Sequence, residues 1–388
     1  MDFGLTSDQV RAQCEFRQFV LDNVVPHADA WDREQRIPAS MFERMAESGY
    51  LGAIIPRRWG GMGIDMVSFG LLSEEFGKAC SSLRSLLTVQ SMVAGAILRW
   101  GTADQKRSWL PRLGSGELLA AFALTEPEAG SDAQAVVSHA HNAGPAYRLN
   151  GQKCWVSFGQ VAGLFLVVCR DTDAISTFLV ERQSAGLSVE PVVGMLGVRA
   201  SMLARLNLRE CEIPLSHRLG RQGSGWQTVT ATALDLGRYS VAWGCVGIAA
   251  ACLEASVGYT RVRHQFGVPL KDHQLVRRMI ADMHTNVRAA RLLCLHAGLL
   301  KDRGDPSAIL ETLIAKYFAS SAAMRAATDA VELHGANGCS GEYPVQRYYR
   351  DAKIMEIIEG STEIQQLTIG SAAYDNASLP LDTYSRGT

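Results

Sequence analysis

A mainly α chain with a central β-domain is what this sequence predicts, and two changes of hydrophobic period carry the prediction. Apolar residues recur at helical spacing through the first third, short segments bounded by turn residues replace them from about residue 119, and the helical period returns after Gly225-Trp226. The expected organisation is an N-terminal α-helical domain over 1–118, a middle β-domain over 119–225 and a C-terminal helical bundle domain over 226–388. A chain of 388 residues can hold two or three such units and a core large enough to enclose a sizeable ligand.

The first helix starts from a capping box of Thr6 and Gln9, repeats Val10, Cys14, Phe16, Phe19 and Val20 at helical spacing, and ends by Pro26. The segment "WGTADQKRSWLPRLGSGE" reads as a helix entered through Thr102 or Asp104 and closed near Gly114 and Gly116. In the middle region "AYRLNGQKCWVSF" predicts a hairpin around Asn150-Gly151, a strong short-range turn signal. "GLFLVVC" reads as a buried strand, and "ARLNLRECEIP" alternates Ala204, Leu206 and Leu208 against Arg205, Asn207 and Arg209, as a half-solvated strand does. Three long helices are then expected, over about 226 to 262, 271 to 303 and 306 to 334, separated by "FGVPL" and "RGDPS".

Composition narrows the function classes. Lys and Arg number 38 against 39 Asp and Glu, with no long run of like charge, which argues against a nucleic-acid surface. The start "MDFGLTSDQV" shows no secretory signal, and the longest apolar run, Val241 to Leu253, falls short of the ~20 residues of a bilayer span. Nine scattered cysteines form no C-x-x-C pair, as expected of reduced thiols in a cytoplasmic protein.

Four stretches carry chemistry. "FALTEPEAGSDA" packs Thr125, Glu126, Gly130, Ser131 and Asp132 into one loop, where hydroxyls and free N–H groups can hold a phosphate or the edge of a polar ring; a solvated turn is the plainer reading. "GQKCWVSFG" adds Trp155, able to cover a flat aromatic ligand or simply to fill a core, and Ser157. "TRVRHQFGVPLKDHQ" sets Arg261, Arg263 and His264 beside Phe266-Gly267, a pyrophosphate site or a solvated face. In "RDAKIMEIIEGSTEI", Ile357 and Ile358 precede Glu359. An apolar site would raise that carboxyl toward the range of a general base; the alternative is a helix-terminal Glu in water.

Taken together these motifs resemble the acyl-CoA dehydrogenase superfamily: "TEPEAGSD", "NGQKCWVSFG", "RHQFGVPLKDHQ", "ELHGANG" and "YRDAKIMEIIEGSTEIQ" occur in that family's order across nearly the whole chain. The resemblance implies the acyl-CoA dehydrogenase fold, with an N-terminal helical domain, a middle β-barrel-like domain and a C-terminal four-helix bundle. It also implies non-covalent FAD, a homodimer or homotetramer, a CoA or acyl-carrier-protein thioester as substrate, and electron-transfer flavoprotein or oxygen as acceptor. By the same resemblance Leu124, Thr125 and Ser131 would hold the flavin and its phosphates, and Trp155 and Ser157 would flank the ring. Arg263, Phe266 and Gln274 would reach the FAD of a neighbouring subunit, as would Glu332, Gly335 and Ala336; Glu332 and Ala336 stand where many members carry Gln and Gly. Ser361 and Glu363 complete the cofactor set.

Glu359 matches the family's catalytic base, which removes a proton α to the thioester carbonyl while hydride leaves the β-carbon for flavin N5. Branches that carry the base on an earlier helix have "LDLER"-like segments; this chain has "LDLGR", with Gly237 unable to act. The backbone N–H of Glu359 and a ribityl hydroxyl of FAD would meet the enolate oxygen, the kind of preorganised donor worth ~3 to 4 kcal/mol. Substrate contacts are expected from Arg84, Ser85, Arg238 and Gly360. Arg84 lies in "CSSLRSLLTVQS", a window without an acid, and "SLRSLLTVQS" is similar to the segment of glutaryl-CoA dehydrogenases whose arginine grips a distal carboxylate. Those enzymes carry a Glu one or two turns earlier, where this chain has Gly77. "SVAWGCVGI" and "YRDAKIMEIIEGS" resemble the enzymes of methoxymalonyl extender-unit pathways. The expected function is therefore FAD-dependent oxidation of a three-carbon hydroxyacyl group on a carrier protein towards hydroxymalonyl in polyketide biosynthesis; the alternative is a catabolic short-chain or glutaryl-type acyl-CoA dehydrogenase.

Overall fold

The computed structural model describes residues 4–375 as helices, then a sheet, then helices. The N-terminal helices are α1 (Ser7–Asn23), α2 (Ala28–Glu34), α3 (Ala39–Glu47), α4 (Met66–Ala79), α5 (Ser81–Trp100) and α6 (Ala103–Gly114). Both expected caps form. Thr6 Oγ1 accepts from Gln9 N at 3.2 Å while Thr6 N donates to Gln9 Oε1 at 3.0 Å, and Thr102 with Gln105 repeats the arrangement on α6.

The middle strands are β1 (Ala120–Ala123), β2 (His139–Asn142), β3 (Ala146–Val156), β4 (Leu164–Asp171), β5 (Ala174–Glu181), β6 (Leu187–Pro191), β7 (Ala204–Pro214) and β8 (Arg218–Leu219). They form one eight-stranded sheet in the order β6-β7-β3-β2-β4-β5-β8, with β1 pairing parallel to β4. β4 is buried on both faces, as its unbroken apolar run predicts. Phe165 and Val167 enter a core private to the sheet, while Leu164 and Leu166 pack with Ile97, Leu110 and Leu113 of α5 and α6. β7 alternates as expected up to Leu208, then a bulge at Glu210 (φ 48°) resets the register so that Cys211 and Ile213 point inward.

The hairpin expected at Asn150-Gly151 is not there. Both residues lie inside β3, which turns back on β2 through 143 to 145 instead. The register against β7 shifts between Leu149 and Gly151, so the Asn-Gly pair marks a bulge; Gly151 takes φ 143°, and a side chain there would overlap Ser138. Asn150 is held on both sides by Glu210, through Nδ2 to the carboxylate and Oδ1 from the Glu210 N–H at 2.8 Å.

A π-helical turn, Trp226–Thr230, leads into α7 (Ala231–Val262); the small hairpin β9 (His264–Gln265) and β10 (Val268–Pro269) leads to α8 (Gln274–Arg303), followed by α9 (Ala308–His334), α10 (Val345–Ile357) and α11 (Thr362–Asp375). The apolar run in α7 proves to be the centre of a 37-residue helical segment, long and apolar enough by composition to cross a membrane, yet 72% of its most apolar window is buried inside the protein. α4, α5, α8, α9 and α10 supply that cover, and the N-terminal helices and the bundle share one core in which Phe69, Phe76 and Leu86 meet Tyr239, Trp243 and Val246. All nine cysteines are free, seven of them buried.

Candidate active site

α10 ends at Ile357 and α11 begins at Thr362, and the link between them is built from two successive left-handed residues, Glu359 (φ 55°) and Gly360 (φ 93°). A glutamate costs energy in that conformation, so the surroundings must hold it there. Three side chains do. Gln365 Nε2 donates to Glu359 O at 3.1 Å and Gly360 O at 3.3 Å, Arg238 Nε donates to Glu359 O at 3.1 Å, and Lys316 Nζ donates to Gly360 O at 2.8 Å. The Glu359 N–H, by contrast, bonds no acceptor among the described residues.

This turn lays the Glu359 carboxyl against Gly237 of α7, where any side chain would overlap Oε2, and beside Met92 of α5. Oε2 is buried and has no hydrogen-bond partner among the described residues. Burial pushes the carboxyl up to about 7, although Arg238, Arg84 and Lys316 all favour its charged form. The helix-end Glu in water, open as an alternative from sequence, gives way to a half-buried residue whose Oε2 is enclosed.

Arg84 is wholly buried on α5. Nη1 donates to Thr88 Oγ1 at 2.7 Å, Nη2 lies 3.6 Å from Met355 Sδ, and Nε is buried without a partner. Among the described residues no carboxylate pairs with it, and burial drives its affinity for the proton down, against the pull of Cys245 and Glu359. Thr88 continues to Ser240 Oγ at 2.7 Å, and Ser240 to Ser73 Oγ at 3.2 Å, so the guanidinium is steered by a chain of hydroxyls from α5 through α7 to α4. Its aliphatic stem lies on Gly244, where a side chain would overlap Cδ. Gly237 and Gly244 are two turns apart on one face of α7, about 10 Å, so Glu359 and Arg84 lie against the same face of that helix. Ser85 turns elsewhere: its hydroxyl donates to Ser82 O at 2.7 Å and meets Ser201 Oγ at 2.9 Å, tying α5 to the loop before β7.

The "TEPEAGSD" loop is anchored from beneath. Lys153 Nζ, fully buried, contacts Glu126 Oε1 at 2.6 Å and Leu124 O at 3.0 Å, while Glu126 also accepts from the Val137 and Ser138 N–H groups. Despite its desolvation, the Lys153 ammonium and these N–H groups hold the Glu126 carboxyl below its usual range. Cys154 N donates to Thr125 O at 2.8 Å, joining β3 to the loop. What remains facing out is Leu124 and Thr125, half-buried, the exposed Ser131, half-buried Ser157, and Trp155, 54% exposed at φ 59°. Among the described residues Ser131 makes no hydrogen bond and Trp155 stacks on no other ring, so an uncovered indole face beside free hydroxyls fits a flat, polar-edged ring with a phosphate tail.

The remaining expected cofactor contacts lie apart. Arg263, Phe266 (95% exposed) and Gln274 sit on the β9–β10 hairpin and the start of α8, 25 or more residues along the chain from Gly237, about 37 Å by helical rise from Gly237 to Val262. Glu332, Gly335 and Ala336 are exposed at the same end, where Tyr259 Oη donates to His334 O at 3.4 Å. Ser361 N-caps α11, accepting from Ile364 N at 3.5 Å, and Glu363 is exposed on its first turn. Sequence reasoning did not pick out Lys316, Gln365, Thr88 or Ser240. Lys316 was findable, because it follows Thr312 and precedes Ala319 and Ala323 on a face otherwise made for the core. Among the described residues no cluster of His, Cys, Asp or Glu could hold a metal.

Comparison with known proteins covers nearly the whole chain. The family descriptions "Acyl-CoA dehydrogenase, N-terminal domain", "middle domain" and "C-terminal domain" match residues 6–117, 121–211 and 223–374. The probable acyl-CoA dehydrogenase YngJ of Bacillus subtilis is 38% identical over 95% of this chain and 98% of its own. A glutaryl-CoA dehydrogenase solved with glutaryl-CoA superposes with a TM-score of 0.92 at 36% identity, covering 98% of each chain. FkbI, for biosynthesis of the methoxymalonyl extender unit of a polyketide immunosuppressant, superposes at 0.86 with 34% identity, covering 95% of this chain and 99% of its own.

Proposed function

Since this chain belongs to the acyl-CoA dehydrogenase family, whose members are FAD-dependent oxidoreductases acting on CH–CH bonds, we propose that it oxidises a short acyl thioester whose substrate or product ends in a carboxylate, with Glu359 as the base. The more specific reading is a three-carbon hydroxyacyl group on an acyl carrier protein, carried towards hydroxymalonyl for a polyketide extender unit. The observation behind it is Arg84: a buried guanidinium with no acid of its own among the described residues is costly, and a carboxylate on the substrate or product would relieve it by a charge-assisted pair.

Geometry favours a short chain. The guanidinium leans through Thr88 toward Ser240, one turn nearer Glu359 than Gly244. The glutaryl-type acid has no place here either, because a side chain at Gly77 would come within 2.6 Å of the Gly244 backbone. A catabolic enzyme of the glutaryl type is the second reading, and the closer superposition on the glutaryl-CoA complex favours it.

Bound against Trp155 and the Thr125–Ser131 loop, FAD supplies a hydride acceptor at N5. The protein's part is then positional. Arg84 would hold a carboxylate of the substrate or of the product, the Glu359 N–H, which bonds no acceptor among the described residues, would donate to the thioester carbonyl where negative charge develops, and Glu359 Oε2 would take the α-proton.

The reading is tested by offering glyceryl and semialdehyde groups on carrier protein beside glutaryl and butyryl groups on CoA, and following flavin bleaching. Rapid bleaching with the carrier-bound three-carbon groups is expected. Bleaching with the CoA esters alone would establish the catabolic reading instead.

A further inference from the structure

Lys316 is buried completely on α9, and its ammonium enters the Glu359–Gly360 turn. A buried ammonium is expected to pair with a carboxylate or to lose its proton. Among the described residues Lys316 pairs with none. Its hydrogen bond goes to Gly360 O at 2.8 Å, the carbonyl that follows the base, and the acids near enough to act on it are Glu359 itself and Glu356 of α10. Cys245 of α7 also faces it, and Arg238 of α7 repels it.

Gly360 O accepts a second bond from Gln365, and Glu359 O accepts from both Gln365 and Arg238. Two adjacent carbonyls of a left-handed Glu-Gly pair are therefore fixed by three side chains from α7, α9 and α11. Two of the three carry charge, and the third is neutral. That division lets positional and electrostatic contributions be separated by substitution.

We propose that Lys316 is a positioning residue for the base: it locks the Glu359–Gly360 turn through the Gly360 carbonyl and keeps a fixed positive charge beside the Glu359 carboxylate. Burial lowers the ammonium to about 8, with Cys245 and Glu359 acting against that, so the charge is present at neutral pH and is withdrawn as pH rises past 8. Groups facing the Glu359 carboxyl are Arg84 from α5, Arg238 from α7 and Lys316 from α9, and all three favour the carboxylate. Removing one cation must raise the pH at which the carboxyl ionises. Removing the neutral Gln365 must loosen the turn without that shift.

The inference rests on Glu359 being the base, and the test separates the two ideas. Glutamate labelled with ¹³C at the carboxyl carbon is titrated by NMR in wild type, Lys316→Met and Gln365→Met, with the Glu359→Gln spectrum identifying the Glu359 resonance. Stopped-flow flavin reduction is followed over the same pH range. For Lys316→Met the Glu359 midpoint should move up by about one pH unit and the ascending limb of the rate profile should move with it, leaving a roughly fivefold loss at pH 7 from the shift alone that shrinks at higher pH. Gln365→Met should slow reduction at every pH with an unmoved midpoint, and Lys316→Gln, which keeps a donor without the charge, should move the midpoint while restoring part of the high-pH rate. An unmoved midpoint in Lys316→Gln or Lys316→Met would overturn the proposal. Normal flavin reduction by Glu359→Gln would instead remove the base assignment while leaving the NMR result for the Lys316 charge standing.

Discussion

At the scale of single residues the site is organised by burial that is left uncompensated. Glu359 Oε2 is enclosed with no partner among the described residues and the carboxyl is raised to about 7, so the folded protein binds its proton more tightly than the unfolded chain does. Below about pH 4.5 both states are protonated and the residue has no effect on stability. As pH rises from there to about 7 the unfolded chain ionises first, and the native state loses stability that it does not regain. Glu359→Gln should therefore match wild type in thermal midpoint near pH 4 and exceed it above pH 7, while its flavin-reduction rate falls by about 10²–10⁴. Calorimetry of the FAD-loaded proteins across that range checks the first statement and stopped-flow the second. Arg84 is the same case with the opposite charge. Arg84→Met removes a buried cation that has no acid among the described residues, so the resting protein should melt no lower than wild type. Turnover of thioesters ending in carboxylate should drop roughly 10²-fold, the scale of losing one side of a buried charged pair, with butyryl thioesters nearly unaffected. Equal losses on both substrates would mark Arg84 as a structural arginine.

Among elements, the contact of α4 with α7 decides what the cleft can hold. Gly77 packs on Gly244 backbone, Gly247 packs on the backbone of Glu74 and Gly77, and Gly244 gives the Arg84 stem its room. Gly77→Ala should cost about 1–3 kcal/mol in chemical denaturation, because helix backbone cannot retreat as a side-chain tip can. Gly244→Ala should add a functional symptom, the loss of selectivity for carboxylate-bearing substrates, since its methyl would fall on Arg84 Cδ. The same elements show what was legible in the sequence. The capping box of α1, the N-cap of α6 at Thr102, the burial of β4 and the alternation of β7 follow from local patterns, which is why those expectations agree with the structure. Asn150-Gly151 misled because a turn signal and a bulge signal are the same dipeptide; only the partner strand, some sixty residues on, distinguishes them. Thr88, Ser240 and Gln365 have ordinary side chains at ordinary helical positions, and their roles exist only once α5, α7 and α11 are brought together.

For the whole molecule, the expected cofactor contacts are spread over separate elements. Leu124, Thr125, Ser131, Trp155 and Ser157 belong to the sheet side of the cleft, whereas Arg263, Phe266 and Gln274 lie beyond the far end of α7, about 37 Å of helix from Gly237. That far end is also where apolar side chains stand unburied: Val262 is 73% exposed, Phe266 95% and Leu275 69%, with Phe266 held out at φ 53° by the hairpin. A hairpin that presents a phenyl ring to solvent in a left-handed conformation is poorly explained by the single chain. It is well explained if the ring is covered in an assembly, where Arg263 and Gln274 would accompany it onto the cofactor of a second copy. On this view Phe266→Ala should fold with an unchanged circular dichroism spectrum, because the ring packs on little of its own chain beyond the edge of His273, 6.1 Å away. It should nevertheless retain FAD several-fold less tightly and sediment partly as a smaller species. Wild type diluted until its sedimentation coefficient falls should release flavin over the same concentration range, while the Lys153–Glu126 anchor, lying within one chain, keeps the loop itself in place. Flavin that stays bound to a sedimenting monomer would show that one chain completes its own site.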